Sequence, residues 1–356
     1  MWFTYSLFLF FIFAQTANSS DGELLCSIVI FREGNRTPLS IQENDPFKEK
    51  WLSEGLGVLT EEGRNKMFSL GQFIQKRYKK ELLNSGISNE SVSARSVQFN
   101  SHIESAQMVL YGLRASLPDS LQIEPIPILT EVPSSDSIMM LDSCPAYDKE
   151  VKKCMLEDEA FNHIDEEEKE LYNLIQENTK CNCNSFTDIN KCTDPLICED
   201  SEGLGLPSWC NETCYNHIMK LLNLHWKLEV STPKLLNLKL QPFVNEMLGK
   251  INRYVQGNET KFQLYLFSSM LYTIPCFMKS IGVENVVPHV PNFGAAIFVE
   301  LRKVGIEYII NLFYREDEDG EMQKLSIKDC SEDCEYSRLL QIIPPLLKKR
   351  RLSCGN

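Results

Sequence analysis

The apolar run Leu24-Leu25-Cys26-Ser27-Ile28-Val29-Ile30-Phe31 constrains this chain more than any other segment. It reads as a buried strand. It runs without a break into the polar loop Arg32-Glu33-Gly34-Asn35-Arg36-Thr37-Pro38. A helix is expected from Thr60, with Met67, Leu70, Phe73 and Ile74 as its apolar stripe. Glu61 and Glu62 open that helix, and Lys76, Arg77, Lys79 and Lys80 close it, the order the helix dipole favours. Residues 92–98 read as a strand and 102–115 as a helix. Strand, helix, strand, helix predicts an α/β sheet. Strand patterns return at 263–269, 295–303 and 306–314. The last two are separated by Val304-Gly305 and predict a hairpin.

Composition shifts at Cys144. Residues 145–235 are rich in Glu, Lys, Leu and Cys, with helical stretches at about 157–177 and 211–229. They are expected to form a smaller helical cap inserted into an α/β core made of 18–144 and 236–356. Before the core, residues 1–17 carry the apolar run Leu7 to Ala14, and small and polar residues, Thr16 to Ser20, follow it. This pattern predicts a signal peptide, and hence a secreted, extracellular protein in which disulfides are allowed. The 13 cysteines fit that expectation. No later segment reaches the length of a membrane span. The 49 acidic residues outnumber 36 basic ones, giving a net charge of −13, which argues against general binding to nucleic-acid backbones.

The loop carries the chemistry. Arg32 and Arg36, with a glycine between them, suit a cradle for oxyanions, because forked guanidinium donors match phosphate oxygens. Taken alone, the pair reads more readily as two solvated surface arginines.

The wider sequence decides between these readings. Val29-Ile30-Phe31-Arg32-Glu33-Gly34-Asn35-Arg36-Thr37-Pro38 resembles the signature of the histidine acid phosphatases, Arg-His-Gly-(Asp/Asn)-Arg-(Thr/Ser)-Pro. Leu59-Thr60-Glu61-Glu62-Gly63, Ala94-Arg95-Ser96 and Glu104-Ser105-Ala106-Gln107 resemble further family segments in the right order. So do Asp194-Pro195-Leu196-Ile197-Cys198, Leu206-Pro207-Ser208-Trp209, Glu300-Leu301 and Phe313-Tyr314-Arg315. The chain is most similar in flavour to the secreted animal branch, which includes prostatic and insect-venom acid phosphatases.

The resemblance implies a mixed sheet flanked by helices, with a smaller helical cap. It also implies hydrolysis of phosphate monoesters through a phosphohistidine. In the family the loop histidine attacks phosphorus, three arginines bind the phosphoryl oxygens, and a His-Asp pair completes the site with the Asp as proton donor. No cofactor is implied.

Carried over residue by residue, that machinery is incomplete. Arg32 and Arg36 match the first two arginines, and remain the candidate anion-binding residues. Glu33 stands at the nucleophile. Ser101 stands at the third arginine when Ser105-Ala106-Gln107 is held in register. Met270 and Leu271 stand at the His-Asp pair. The expectation is therefore that Glu33 is bound by Arg32 or Arg36, with its pKa lowered. An acyl phosphate on Glu33 would need a metal or other charge cancellation, and no acidic metal cluster accompanies it in the sequence. Of the five histidines, His102 is the one near the loop's partners, and a helix-borne histidine there reads first as structural.

The cysteines divide in two. By family likeness Cys330 pairs with Cys334, and Cys144 with Cys354. Cys181, Cys183, Cys192, Cys198, Cys210 and Cys214 cluster in the cap, and disulfides suit a secreted chain better than zinc. Their pairing is open, and Cys198 needs a new partner because the family's partner position holds Ala296. Cys26 and Cys276 read as buried thiols. Asn89, Asn211 and Asn258 head glycosylation sequons, whereas the sequon at Asn35 lies in the site loop and is expected to stay unmodified. The run Lys348-Lys349-Arg350-Arg351 reads as a solvated end.

Two functions remain open from the residues. One is a catalytically inactive member with a binding or secreted-factor role. The other is an acid phosphatase working with a degenerate site. A small anion or phosphate ester, a lipid-like ligand on the apolar floor formed by Met270, Leu271 and Tyr272, an unknown protein and a second copy of the chain are the candidate partners.

Overall fold

Strand β1 (Glu23–Arg32) lies inside the sheet, buried along almost its whole length. The computed structural model describes residues 22–348 apart from 43, 85, 119–124, 140–143, 259–260, 284–286 and 319. The expected signal peptide and Cys354 lie outside these residues. Along β1, Ile28 and Ile30 face one core while Val29 and Phe31 face the other. That is the two-residue period of a strand covered on both sides. A bulge between Leu24 and Cys26 resets the alternation, so Leu24 joins the core of Val29 and Cys26 that of Ile28.

The remaining elements, in chain order, begin with α1 (Lys48–Glu54), α2 (Glu61–Tyr78), β2 (Val92–Ser96), α3 (Asn100–Arg114) and β3 (Ile128–Leu129). The cap follows as α4 (Pro145–Glu157), α5 (Ile164–Glu167), α6 (Lys169–Thr179), α7 (Ile189–Ser201) and α8 (Glu212–Glu229). Then come α9 (Pro233–Val255), β4 (Leu264–Ser269), α10 (Thr273–Ser280), β5 (Ala296–Val304) and β6 (Glu307–Arg315). The chain closes with β7 (Gln323–Leu325), β8 (Cys334–Glu335), α11 (Tyr336–Ile342) and α12 (Pro345–Lys348). The sheet has eight strands in the order β3-β2-β4-β1-β5-β6-β7, with β8 against β6.

All five expected strands lie in this one mixed sheet. β3, β2, β4 and β1 run parallel, and β5 to β8 pair antiparallel. The β5–β6 hairpin turns on Gly305-Ile306, with Val304 opposite Glu307. Gly305 has φ 62°, the glycine-first turn that suits the twist of a hairpin.

One helix expectation holds and one changes. Thr60 caps α2, its hydroxyl accepting from the Gly63 N–H at 3.0 Å, as its sequence predicts. The cap stretch 157–177, however, is not one helix. It breaks between Glu157 and Ile164, where Asp158 ends α4 by accepting through its side chain from the Ala160 N–H. Asp and Asn favour such local turns over a helix interior. α4, α7, α9 and α10 are additional helices, and α9 runs from the cap side into the core through residue 235. Cap and sheet share one apolar core, in which Phe186, Ile218 and Trp226 belong to the same cluster as Ile28 and Ile30.

Cys181–Cys192, Cys210–Cys214 and Cys330–Cys334 are disulfides. Cys144 is also disulfide-bonded. Cys183 and Cys198, expected among the cap's disulfides, are instead buried thiols, as is Cys276. Cys198 finds an arginine rather than a second sulfur.

Candidate functional site

The parallel strands β1, β2 and β4 end at the same edge, where loops of an α/β sheet gather functional groups. Arg32 is the last residue of β1 and pairs with Ser269, the last of β4. The Ser268 hydroxyl donates to the His102 carbonyl at 2.8 Å, tying β4 to the start of α3. Ser101 and His102 on α3 therefore lie beside the end of β4, and Met270 follows Ser269, the partner of Arg32. Ser105 fixes the loop further: its hydroxyl accepts from the Gly34 N–H at 3.1 Å and donates to the Ser101 carbonyl at 2.6 Å.

Glycine is needed where this loop meets α2. A Cβ on Gly34 would stand 2.6 Å from the Gly63 carbonyl oxygen, and one on Gly63 would stand 1.9 Å from that of Asn35. Asn35 is buried and donates to the Ser201 carbonyl at 2.9 Å while accepting from Lys66 at 3.0 Å.

Glu33 lies at the centre, 2% exposed. Its Oε1 accepts from Arg36 Nε at 3.3 Å, and its Oε2 is 3.7 Å from Arg32 Nε. His102 Nε2 stands 3.2 Å from the same Oε2. Burial alone would raise the carboxyl's pKa. The charges of His102, Arg32 and Arg36 outweigh burial and hold it well below the usual carboxylate range. This matches the expected locking of Glu33. His102, read first as structural, faces the site.

Each arginine is engaged elsewhere too. Arg32 Nη1 donates to the Pro291 carbonyl, and its guanidinium carbon lies 3.8 Å from the centroid of the Phe293 ring. Arg36 binds Asp194 through both terminal nitrogens, Nη2 to Oδ1 at 2.7 Å and Nη1 to Oδ2 at 3.2 Å. Its Nη1 also approaches the Cys198 sulfur at 3.5 Å. Burial, with Asp194 beside it, pushes that thiol's pKa up, so Cys198 is no activated nucleophile. The buried cluster thus holds two guanidiniums against two carboxylates.

Ser101 is fully buried, its hydroxyl 3.3 Å from His102 Nδ1. Arg95 pairs with Asp136 at 2.9 Å and Glu131 at 3.2 Å. Met270 and Leu271 line a neighbouring cavity with Tyr272. Among the described residues, no group of three or more His, Cys, Asp or Glu is placed to hold a metal ion.

Asp194, Phe293 and Pro291 went without a role in the sequence, and Cys198 was expected in a disulfide. Asp194 and Cys198 lay inside a segment that resembles the family, but no local pattern says that a cap helix will deliver them to a loop over a hundred residues earlier.

The model of the histidine phosphatase superfamily, branch 2, matches residues 16–320. The chain belongs to this superfamily. Prostatic acid phosphatase of Homo sapiens is 27% identical over 96% of the chain and 90% of its own length. Lysosomal acid phosphatase of Homo sapiens is 23% identical over 90% of the chain and 77% of its own length. Among solved structures, the phytase of Citrobacter braakii superposes with a TM-score of 0.67 at 15% identity, covering 94% of this chain and 99% of that one.

Proposed function

We propose that this histidine phosphatase homologue does not hydrolyse phosphate esters and acts as a secreted, glycosylated binding protein. One observation carries the reading: at the nucleophile position a buried carboxylate is held by Arg32, Arg36 and His102. A phosphate dianion entering that space would meet Glu33 and compete with it for both arginines. At 4 Å and an effective dielectric of 20, each pair of unit charges is worth about 4 kcal/mol. Acid relieves this less than it would for an ordinary carboxylate, because His102, Arg32 and Arg36 hold the Glu33 pKa well below its usual range.

Secretion is supported by the leader pattern in residues 1–17 and by disulfides in the folded chain. Asn89, Asn211 and Asn258 are exposed, as glycan acceptors need to be, whereas Asn35 is buried and bound to the cap. The Cys144–Cys354 pairing belongs to the same reading. Among the described residues, no helix is long and apolar enough to cross a membrane.

The test is hydrolysis of a chromogenic phosphomonoester by the purified protein from pH 4 to 7, beside prostatic acid phosphatase. No turnover above a protein-free blank is expected. Turnover that disappears in Glu33→Ala would overturn the proposal.

A further inference from the structure

The sequon Asn211-Glu212-Thr213 is enclosed by a disulfide. Cys210 and Cys214 flank it directly and are bonded to each other. The five residues form a ring whose ends lie 5.3 Å apart between Cα atoms. Four extended steps would span about 13–14 Å. The ring is wound into the start of α8, with Asn211 at its N-cap and Glu212 as its first residue. The sequons at Asn89 and Asn258 have no cysteine nearby.

A glycan on Asn211 fits the folded protein. The residue is exposed, and its Oδ1 accepts from the Cys214 N–H at 3.0 Å, an ordinary N-cap contact. The glycan is carried on Nδ2, so the cap survives the modification. The folded protein is nevertheless a poor acceptor. An acceptor is defined by an Asn and a hydroxyl two residues on, so the transferase must reach both at once. Side chains two apart at a helix start do not share a face, and Thr213 lies in the first turn of α8. The closed ring cannot straighten to bring them together. Nor is it easily reopened, because Cys210 is fully buried in the same apolar cluster as Ile218 and Leu222.

We propose that Asn211 accepts a glycan only while Cys210 and Cys214 are still thiols, so that glycan transfer and disulfide closure race on the emerging chain. The proposal rests on the secreted, glycosylated reading above. In the first reaction Asn211 Nδ2 bonds to the anomeric carbon of a lipid-linked oligosaccharide diphosphate. The bond from that carbon to the phosphate oxygen breaks, and the amide proton is released. In the second, the two thiols give two protons and two electrons to a disulfide oxidant of the secretory route, which leaves as a dithiol. Chains grow at about 5–20 residues per second and disulfides form in seconds or longer, so both reactions meet the same unfolded segment. Cys210 and Cys214 are each other's nearest cysteines in sequence, which favours early closure.

The test is site occupancy in the full-length protein made by animal cells. Glycans are removed enzymatically in heavy-oxygen water, which marks each formerly glycosylated Asn as a labelled Asp for mass spectrometry. Asn211 is expected to be only partly occupied in the wild type. In the double variant Cys210→Ser, Cys214→Ser its occupancy should roughly double, as comparable rates of the two reactions require, with Asn89 and Asn258 unchanged. A dithiothreitol pulse during synthesis should raise it in the wild type, with the sequence unaltered. Peptides are taken from cells as well as medium, so a variant that fails to fold and leave the cell still counts. Equal occupancy at Asn211 with and without the two cysteines overturns the proposal, as does full occupancy in the wild type. Unmodified Asn89 and Asn258 would count instead against the secreted, glycosylated reading itself.

Discussion

Asp194 Oδ1 lies 2.7 Å from Arg36 Nη2, so a carboxylate of the cap grips the second arginine of the signature loop. Asp194 Oδ2 also accepts from the Leu39 N–H at 2.8 Å, fixing the chain just past the loop. Arg36 is thereby shared between Glu33 on its own loop and Asp194 on α7. The geometry joins the cap to the sheet by charge at the loop after β1.

Removing Asp194 should therefore be expensive. Breaking one side of a buried ion pair typically costs about 3–5 kcal/mol. Asp194→Ala is expected to lower stability by that order in urea denaturation, and to expose the loop at 32–39 to proteolysis before the sheet unfolds. A loss below about 1 kcal/mol would mean that the pair is ornamental.

Glu33→Ala should convert the cluster into an anion site. The variant leaves Arg32 and Arg36 with one carboxylate between them instead of two. Inorganic phosphate is expected to raise its Tm well beyond matched chloride, by up to about 2.7 kcal/mol of stabilisation at one hundred times Kd. The wild-type protein should show no phosphate-specific shift. Glu33→Gln, which keeps the shape, guards against misfolding and should respond in the same direction.

How much of this was legible in the residues varies with range. β1, β4 and the β5–β6 hairpin were readable because an apolar run buried on both faces is a local signal. The short strands β7 and β8 were not, because three and two residues carry no period and form only where β6 offers an edge. In the site, Glu33 and its arginines sit on one loop, so their pairing followed from sequence neighbours. Asp194 and Phe293 reach the site from α7 and from the segment before β5, and only the packed fold brings them there. The cap's sulfur chemistry was misjudged for the same reason: Cys198 faces Arg36 and Asp194, not another cysteine.

Glu199 provides a pH-dependent prediction. It is 1% exposed on α7. Burial and the neighbouring Asp45 carboxylate push its pKa up from 4.5 to about 8, against a smaller opposing effect of Trp51. A carboxyl whose folded pKa is raised stabilises the fold when protonated, and that stability is lost as pH rises from about 4.5 to 8. Glu199→Gln should flatten the fall. At about 1.4 kcal/mol per pKa unit, the variant should gain on the order of 2 kcal/mol or more over wild type between pH 5 and 8 in thermal or urea unfolding. A parallel pH profile in the two proteins would refute the assignment.

Restoring the nucleophile alone should not restore activity. Glu33→His still lacks a third arginine and a proton donor, and a missing general acid alone removes a factor of roughly 100 to 10,000. Groups that act as a unit recover little when returned singly. The combination of Glu33→His, Ser101→Arg, Met270→His and Leu271→Asp should show measurable phosphomonoester turnover, with the single variant near background. Ser101 is fully buried, so the arginine must displace part of the His102 contact.

The most direct measurement is a search for a covalent phosphoryl-enzyme. Incubation with a 32P-labelled phosphomonoester, rapid quenching and gel separation would reveal either possible intermediate. Phosphohistidine is acid-labile, and an acyl phosphate on a carboxylate is released by hydroxylamine. With Glu33 held by Arg32, Arg36 and His102, no label should be retained at any pH from 4 to 7, while prostatic acid phosphatase treated alongside retains it. Hydroxylamine-sensitive label on Glu33, absent in Glu33→Gln, would contradict this account and make Glu33 a nucleophile.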